Sequence, residues 1–432
     1  MKTPTLALVA AAILLAAVAC TPKPAGSRVY EYHGGEWFNG QTFESRDVYV
    51  ANGMFVAKPS SAPDSTIELK GQFVVPPFAE GHNHWLEPAA VDAYIQSYLR
   101  DGIFYVQDQG NAPAIHARFD SLLNRPTSVD FISANQGWSG PGGHPVQIVR
   151  QFVAFGIFPP VWKDAGYDKN VVMVVRDSAD IAERWPLFIA GKPAFVKVFL
   201  LYSEEFDKRR NDSSYQYHRG MNPALVPEIV RRAHAAGLEV SAHIYTATDF
   251  RNAVNGGVDL VAHFPGTGYD EKLGPAAFRI TEADAVAAAQ HHVRVMTTLG
   301  WLREEEYAKQ HDMLMRDVIR PNLALLRRHG VPILIGSDQF RQTSAPEAQD
   351  LVKMGLFTPT EMLVAWAVAT PQSIFPQRRI GELRPGYEAS FLVLNGDPIA
   401  DFGNTSRIWL RVKQGVVLRL KEPVPQFPPL GK

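Results

Sequence analysis

Apolar side chains at Val91, Tyr94, Ile95, Tyr98 and Leu99 recur at a spacing that places them on one face of a helix. The stretch ALVPEIVRRAHAAG repeats the habit and closes at Gly237. Between such stretches run short β-branched and aromatic segments: FVVPPF before His82, then GIFYV (102–106), VDFISA (129–134), FVKVFL (195–200), LEVSAHI (238–244), VDLVAHF (258–264), HVRVMTT (292–298) and VPILIGSD (331–338). Eight apolar strands alternating with helices predict an α/β fold, a (β/α)8 TIM-type barrel over 77–382 with its chemistry at the carboxyl ends of the strands. The alternative is an open doubly wound sheet, but no GxGxxG fingerprint follows a strand.

Both ends of the chain read differently. EWFNG, RDVYVANGMFVA and STIELKGQFVV are short alternating runs, and Asn52-Gly53 is a hairpin signal. ASFLVLNGDP and IWLRVKQGVVLRL repeat this near the C-terminus, with Gln414-Gly415 at a second turn. Neither set can hold a core alone, so 28–76 and 383–425 are expected to combine into one small β-sandwich. Two stretches interrupt the strand-helix alternation: 135–170, with GWSGPGGHP and an aromatic, Pro-rich run, and the polar, turn-rich 204–223, EEFDKRRNDSSYQYHRGMNP. At the carboxyl end of a barrel they would be lids.

The composition, 432 residues with 46% hydrophobic, 20% charged and a net charge of -1, fits a large folded core and lacks the basic footprint of nucleic-acid binding. The N-terminus, with Lys2 ahead of apolar Leu6 to Val18 and small residues before Cys20, reads as an export signal, 1–19, too short to span a membrane. Ala17-Val18-Ala19-Cys20 resembles a bacterial lipobox, which implies cleavage before Cys20, lipid on its thiol, and a periplasmic-side anchor in the cell envelope. The alternative is an ordinary secretory signal with an incidental cysteine. TPKPAGS would then be a tether within 20–27, and a single cysteine excludes an internal disulfide framework.

Polar residues that close the apolar strands carry the chemistry. His82 and His84 end the first, Lys197 sits inside the fourth, His243 and His263 end the fifth and sixth, and Asp338 ends the eighth. Residues i and i+2 of a strand share a face, so His82 and His84 point the same way. Imidazole and carboxylate are the usual donors for zinc and its neighbours, and four histidines with one aspartate could hold one ion or two. Lys197, flanked by large apolar residues, would be desolvated, which favours the neutral amine. A neutral amine can take up carbon dioxide as a carbamate suited to bridging two metals; otherwise Lys197 snorkels to the strand's edge.

HNH after PPF, VSAHI and VAHF twenty residues apart, LIGSD, TPTEMLVAWAVATPQSIF and IGELRPGYEASFLVLNGDP together resemble the amidohydrolase superfamily, in particular its imidazolonepropionase-like and Lys-dependent, prolidase-like dipeptidase branches. The resemblance runs from Val29 to Leu420. It implies two divalent ions, zinc in the first place although manganese and cobalt share these ligands, one held by His82, His84, Lys197 and Asp338 and the second by Lys197, His243 and His263. It further implies a metal-activated hydroxide attacking an amide carbonyl, with carboxylated Lys197 as bridge and Asp338 as general base and then acid. GPGGHP resembles the family's GGH substrate loop, making His144 a substrate contact, with Tyr202 and Arg341 as further candidates for substrate oxygen or carboxylate.

Glu80 stands where aspartate is common, Trp85 is unusually bulky, and VAHFPG replaces the commoner EHG. These departures bear on substrate more than on hydrolysis, and Asn83, Trp85, Phe264 and the 204–223 insertion are expected to shape the pocket. The leading expectation is a binuclear hydrolase of a C-N bond in a dipeptide, N-acyl amino acid or cyclic amide. A mononuclear cyclic-amide hydrolase or deaminase, and an inactive envelope binding lipoprotein, are the alternatives. Expected partners are a small-molecule or short-peptide substrate, the membrane through the lipid, and a second copy of the chain should it form a homo-oligomer.

Overall fold

The computed structural model describes residues 28–164, 166–307 and 309–430. Residues 1–27, on which the expected export signal, lipidated Cys20 and tether fall, lie outside the described residues. No helix among the described residues is long and apolar enough to cross a membrane.

The chain opens with β1 (Val29–Phe38), β2 (Phe43–Ala51), β3 (Met54–Val56), β4 (Ser65–Glu68) and β5 (Phe73–Val75). Then come β6 (Phe78–Asn83), β7 (Ile103–Asp108), β8 (Asp130–Ser133), β9 (Gly137–Ser139) and β10 (Val172–Val174). They are followed by β11 (Val196–Phe199), β12 (Val240–His243), β13 (Leu260–Val261), β14 (Arg294–Met296) and β15 (Ile333–Leu334). β16 (Phe391–Leu394), β17 (Ile408–Lys413) and β18 (Val416–Val417) close the order.

Among the described residues the two ends share one mixed sheet in the order β18-β17-β16-β5-β1-β2-β3, with β4 on β1. This sheet curls back on itself, because Phe55 N donates to Tyr387 O and Ala389 N to Gly53 O. Trp37, Phe55, Tyr32 and Phe391 fill the fold, with Phe391 4.8 Å from Tyr32 and 5.4 Å from Trp37 between ring centroids. Asn52 and Gly53 both take positive φ, as the hairpin signal requires.

The middle of the chain is α/β with parallel strands, in one sheet β6-β7-β8 and another β10-β9-β11-β12-β13-β14-β15. β8 and β9 are two halves of one bent run: Asn135 between them takes a left-handed φ, the first half pairs with β7 and the second with β11 and β10. At the far edge Gly81 N donates to Ile335 O and Asp338 N to His82 O, so β6 meets the chain leaving β15. Glycine is needed on both sides of that approach: a Cβ on Gly81 would stand 2.8 Å from Ile335 O, and one on Gly336 2.7 Å from His82 N. Helices such as Val91–Arg100, Val226–Ala235, Ala247–Asn255 and Glu282–Gln290 return the chain between strands, and Thr246 with Asp249 and Thr281 with Asp284 cap the last two by reciprocal hydrogen bonds. β9 falls inside the 135–170 stretch where the sequence predicted a lid, and β10 follows directly after it.

Candidate metal centre

His82, His84 and Asp338 place one ligand atom each within 4.8 Å of one another. Nε2 of His84 is 3.3 Å and Nε2 of His82 3.5 Å from Asp338 Oδ1, while His263 Nε2 is 3.9 Å from Oδ2. Asp338 reaches this position with a left-handed φ of 51°, fixed by its N-H on His82 O. His243 packs its ring 4.2 Å from that of His263, and His82 lies 4.6 Å from His263 on the other side. Lys197, fully buried, lines the same cavity as the histidines and brings Nζ to 3.2 Å from Gln109 Oε1.

The imidazoles are oriented from behind. His82 Nδ1 donates to Ala262 O and His84 Nδ1 to Gly110 O, both at 2.8 Å, and His263 Nδ1 pairs with Thr298 Oγ1 at 3.0 Å. A proton on Nδ1 leaves the Nε2 lone pair for a metal. Among the described residues Nε2 of His243 is buried with no hydrogen-bond partner, and a cation would satisfy it. Burial drives His82, His243 and His263 well below the usual imidazole range, so all are neutral donors. For Asp338 burial pulls upward, but the hydrogen bond to His84 and the charges around it win and keep the carboxyl low. Burial lowers the Lys197 amine to about 7, where much of it is unprotonated. These donors fit one or two divalent ions.

A cavity of about 300 Å³ opens onto this cluster. His144 lines it, its ring 4.6 Å from His243 and 5.3 Å from Phe199, and its backbone N-H is held by Arg219 O of the 204–223 insertion. Burial lowers the His144 imidazole to about 3. Tyr202 and Arg341 are not on the cavity wall. Tyr202 donates its hydroxyl to Gly268 O, under Arg209 stacked 3.8 Å above its ring, and Arg341 makes a two-pronged ion pair with Glu87. Trp85 also faces away, stacked on Tyr94 at 4.9 Å and against Phe131, so its bulk serves the core. Phe264 is buried off the cavity, whereas Asn83 and the 135–170 stretch do line it.

Gln109, Asp108 and Thr298, and the contacts made by Glu80, were not foreseen from the sequence. Glu80 accepts from His82 N, Ser337 N and Ser337 Oγ, tying β6 to the Asp338 turn, and burial pushes its carboxyl up to about 8. Asp108 receives Asn111 Nδ2 and Gly110 N, holding the very carbonyl that His84 uses. Their one signal was position, at the carboxyl ends of β6, β7 and β14.

A sequence profile of the amidohydrolase family matches residues 166–418, more than half of the chain. The chain belongs to the amidohydrolase family. Imidazolonepropionase of Salmonella typhimurium is 27% identical over 187 residues, which cover 41% of this amidohydrolase and 40% of the relative. The match therefore spans about two fifths of the length of that relative. Among solved structures, a prolidase complexed with N-methylphosphonate-L-proline superposes with a TM-score of 0.69 at 18% identity, over 91% of this chain and all of that one. Ochratoxinase of A. niger gives 0.68 at 16% over 91% and 96%, and a Xaa-Pro dipeptidase with bound methionine 0.67 at 15% over 90% and 99%. At these identities the likeness is one of fold.

Proposed function

We propose that this amidohydrolase cleaves a C-N amide bond with two divalent metal ions held by His82, His84, Lys197, His243, His263 and Asp338, zinc being the first candidate. The convergence of His82, His84 and Asp338, with His243 and His263 ring to ring beside them, carries this reading. In it the two parallel sheets form one closed eight-strand barrel, with β8 and β9 as a single bent strand, and the curled end sheet serves as the small β-sandwich. The ions would lower the pKa of a water and polarise the scissile carbonyl.

The chain's own groups supply the rest. Asp338 Oδ1 takes the proton from the attacking water and returns it to the leaving nitrogen. His144, neutral and facing the cavity, orients the substrate carbonyl. Lys197 as a carbamate would offer two oxygens between the two groups of histidines, and its lowered pKa favours the amine that forms it. A single-metal reading is favoured by one observation: Lys197 Nζ bonds to Gln109, and of the six proposed ligands it is His82, His84 and Asp338 that form a tight ligand group among the described residues. Counting zinc per chain by plasma mass spectrometry in protein loaded and desalted, alongside release of amine from an amide panel, tests both. Two equivalents and amide cleavage are expected; one equivalent leaves the mononuclear form, and no bound metal ends the proposal.

A further inference from the structure

We infer that the substrate is a neutral amide bearing an aromatic or branched apolar group, with no carboxylate near the scissile bond. This rests on the hydrolase reading of the metal centre and deepens it. The cavity walls come from Leu86, Ile148, Phe152, Phe158, Phe199 and Phe340, an apolar arc that starts at the metal-ligand cluster. Phe199 stands 5.5 Å from His243 and 5.3 Å from His144, so apolar surface reaches the reacting centre itself. Space for that ring is made by Gly137, where a Cβ would meet Phe199 at 2.3 Å. Phe152 packs edge-on against Phe340 at 4.9 Å and touches Phe158 at 5.6 Å, giving a wall of fixed rings.

What the wall lacks matters as much. Among the described lining residues there is no arginine, and Lys197 is the one lysine. The arginines nearest in the fold lie off the cavity wall: Arg341 pairs with Glu87, and Arg219 turns its Nη1 to the carbonyls of Arg209, Arg210 and Asp212. The amide groups of Asn83 and Asn111, which also line the cavity, are used within the protein. Asn83 Nδ2 donates to Ser337 Oγ, Gln339 O and Gln342 O while its Oδ1 accepts from His84 N. Asn111 Nδ2 donates to Trp85 O and Asp108, and its Oδ1 accepts from Ala112 N. A carboxylate brought here loses its water and gains no cation outside the metal cluster. An aromatic ring gains everything the wall offers.

The test uses two probes that differ by one carboxylate, N-benzoylphenylalanine and N-(2-phenylethyl)benzamide, titrated calorimetrically into the metal-loaded full chain. The neutral amide is expected to bind at least tenfold more tightly. In Gln151→Arg, a change on the cavity rim, the preference is expected to shrink at least threefold, and in Phe152→Ala the neutral amide is expected to weaken at least fivefold. Equal or tighter binding of N-benzoylphenylalanine to the unaltered chain, or no binding of the neutral amide, overturns the inference. Release of phenethylamine from the neutral probe and of phenylalanine from the carboxylated one, followed in the same samples, reads the hydrolase proposal separately. Preferential binding without cleavage leaves the substrate class standing and defeats hydrolysis, while cleavage that favours the carboxylated probe does the reverse.

Discussion

Lys197 Nζ donates to Gln109 Oε1 at 3.2 Å, and Ser241 Oγ donates to the same oxygen at 2.8 Å. Gln109 is itself fixed, through Nε2 on Gly81 O. The amine is thus held in the buried interior beside β11 rather than turned toward bulk water, at a pKa lowered by burial to about 7. Lys197→Ala is expected to bind one metal equivalent fewer than the unaltered chain and to lose at least a hundredfold in amide cleavage. In ¹³C-bicarbonate the unaltered protein should show a carbamate carbon resonance that the variant lacks. Equal metal content in both proteins would count against the bridge.

Arg341 was expected to hold substrate, and the structure gives it to Glu87. Glu87 is almost wholly buried, so removing its guanidinium partner strands a carboxylate. Arg341→Ala should therefore lower stability by about 2 kcal/mol in urea unfolding, while KM for a neutral amide changes less than twofold. A large rise in KM with unchanged stability would restore the substrate role.

How far the sequence could be read follows from what kind of signal each residue carries. His82, His84, His243, His263 and Asp338 were legible because a charged or metal-binding side chain ends an apolar run, and parallel strands bring such ends together. Gln109 and Thr298 were not, since a neutral residue at a strand end has many ordinary uses. The carbonyls of Ala262 and Gly110 that orient two imidazoles have no sequence signature at all. Trp85 and Arg341 were misleading for one shared reason: their partners, Tyr94 and Phe131 for one and Glu87 for the other, are set by tertiary packing. Glu87 lies 254 positions from Arg341, beyond any local pattern. The bend between β8 and β9 was likewise hidden, because it needs Asn135 in a left-handed φ inside a stretch that reads as loop.

Glu347, on the helix Ser344–Lys353, accepts from Leu299 N at 2.7 Å in the buried turn after β14. Burial raises its carboxyl from 4.5 to about 7. The folded chain therefore keeps a proton that the unfolded chain has already lost between those values, and this group's contribution to stability falls as pH rises through that window. Glu347→Gln keeps an acceptor for Leu299 N without the titration. Its stability relative to the unaltered chain should improve by on the order of 3 kcal/mol from pH 4.5 to pH 7 and stay level above. Parallel unfolding curves for the two proteins across that range would remove Glu347 as the source.

Lys413 joins the C-terminal end of the chain to the parallel core. It lies on β17 with no exposed surface, and its Nζ donates to Asp130 Oδ1 at 2.6 Å and to the carbonyls of Arg125 and Ser128 at 2.7 Å. Asp130 opens β8, and its other oxygen takes Arg378, which also grips Glu388. Burial lowers the Lys413 amine, and the Asp130 charge opposes that, so the pair persists only while both members are present. Lys413→Met keeps the length of the stem but leaves two carbonyls and part of a carboxylate unpaired, at a cost of about 3 kcal/mol. The end sheet should then exchange its amide protons faster than β11 or β12, as local opening precedes global unfolding. Asp130→Asn in the same background should recover part of the loss, because the buried charge left behind by Lys413 is then removed; a further loss instead would mean that the Arg378 contact, not Lys413, anchors the two parts.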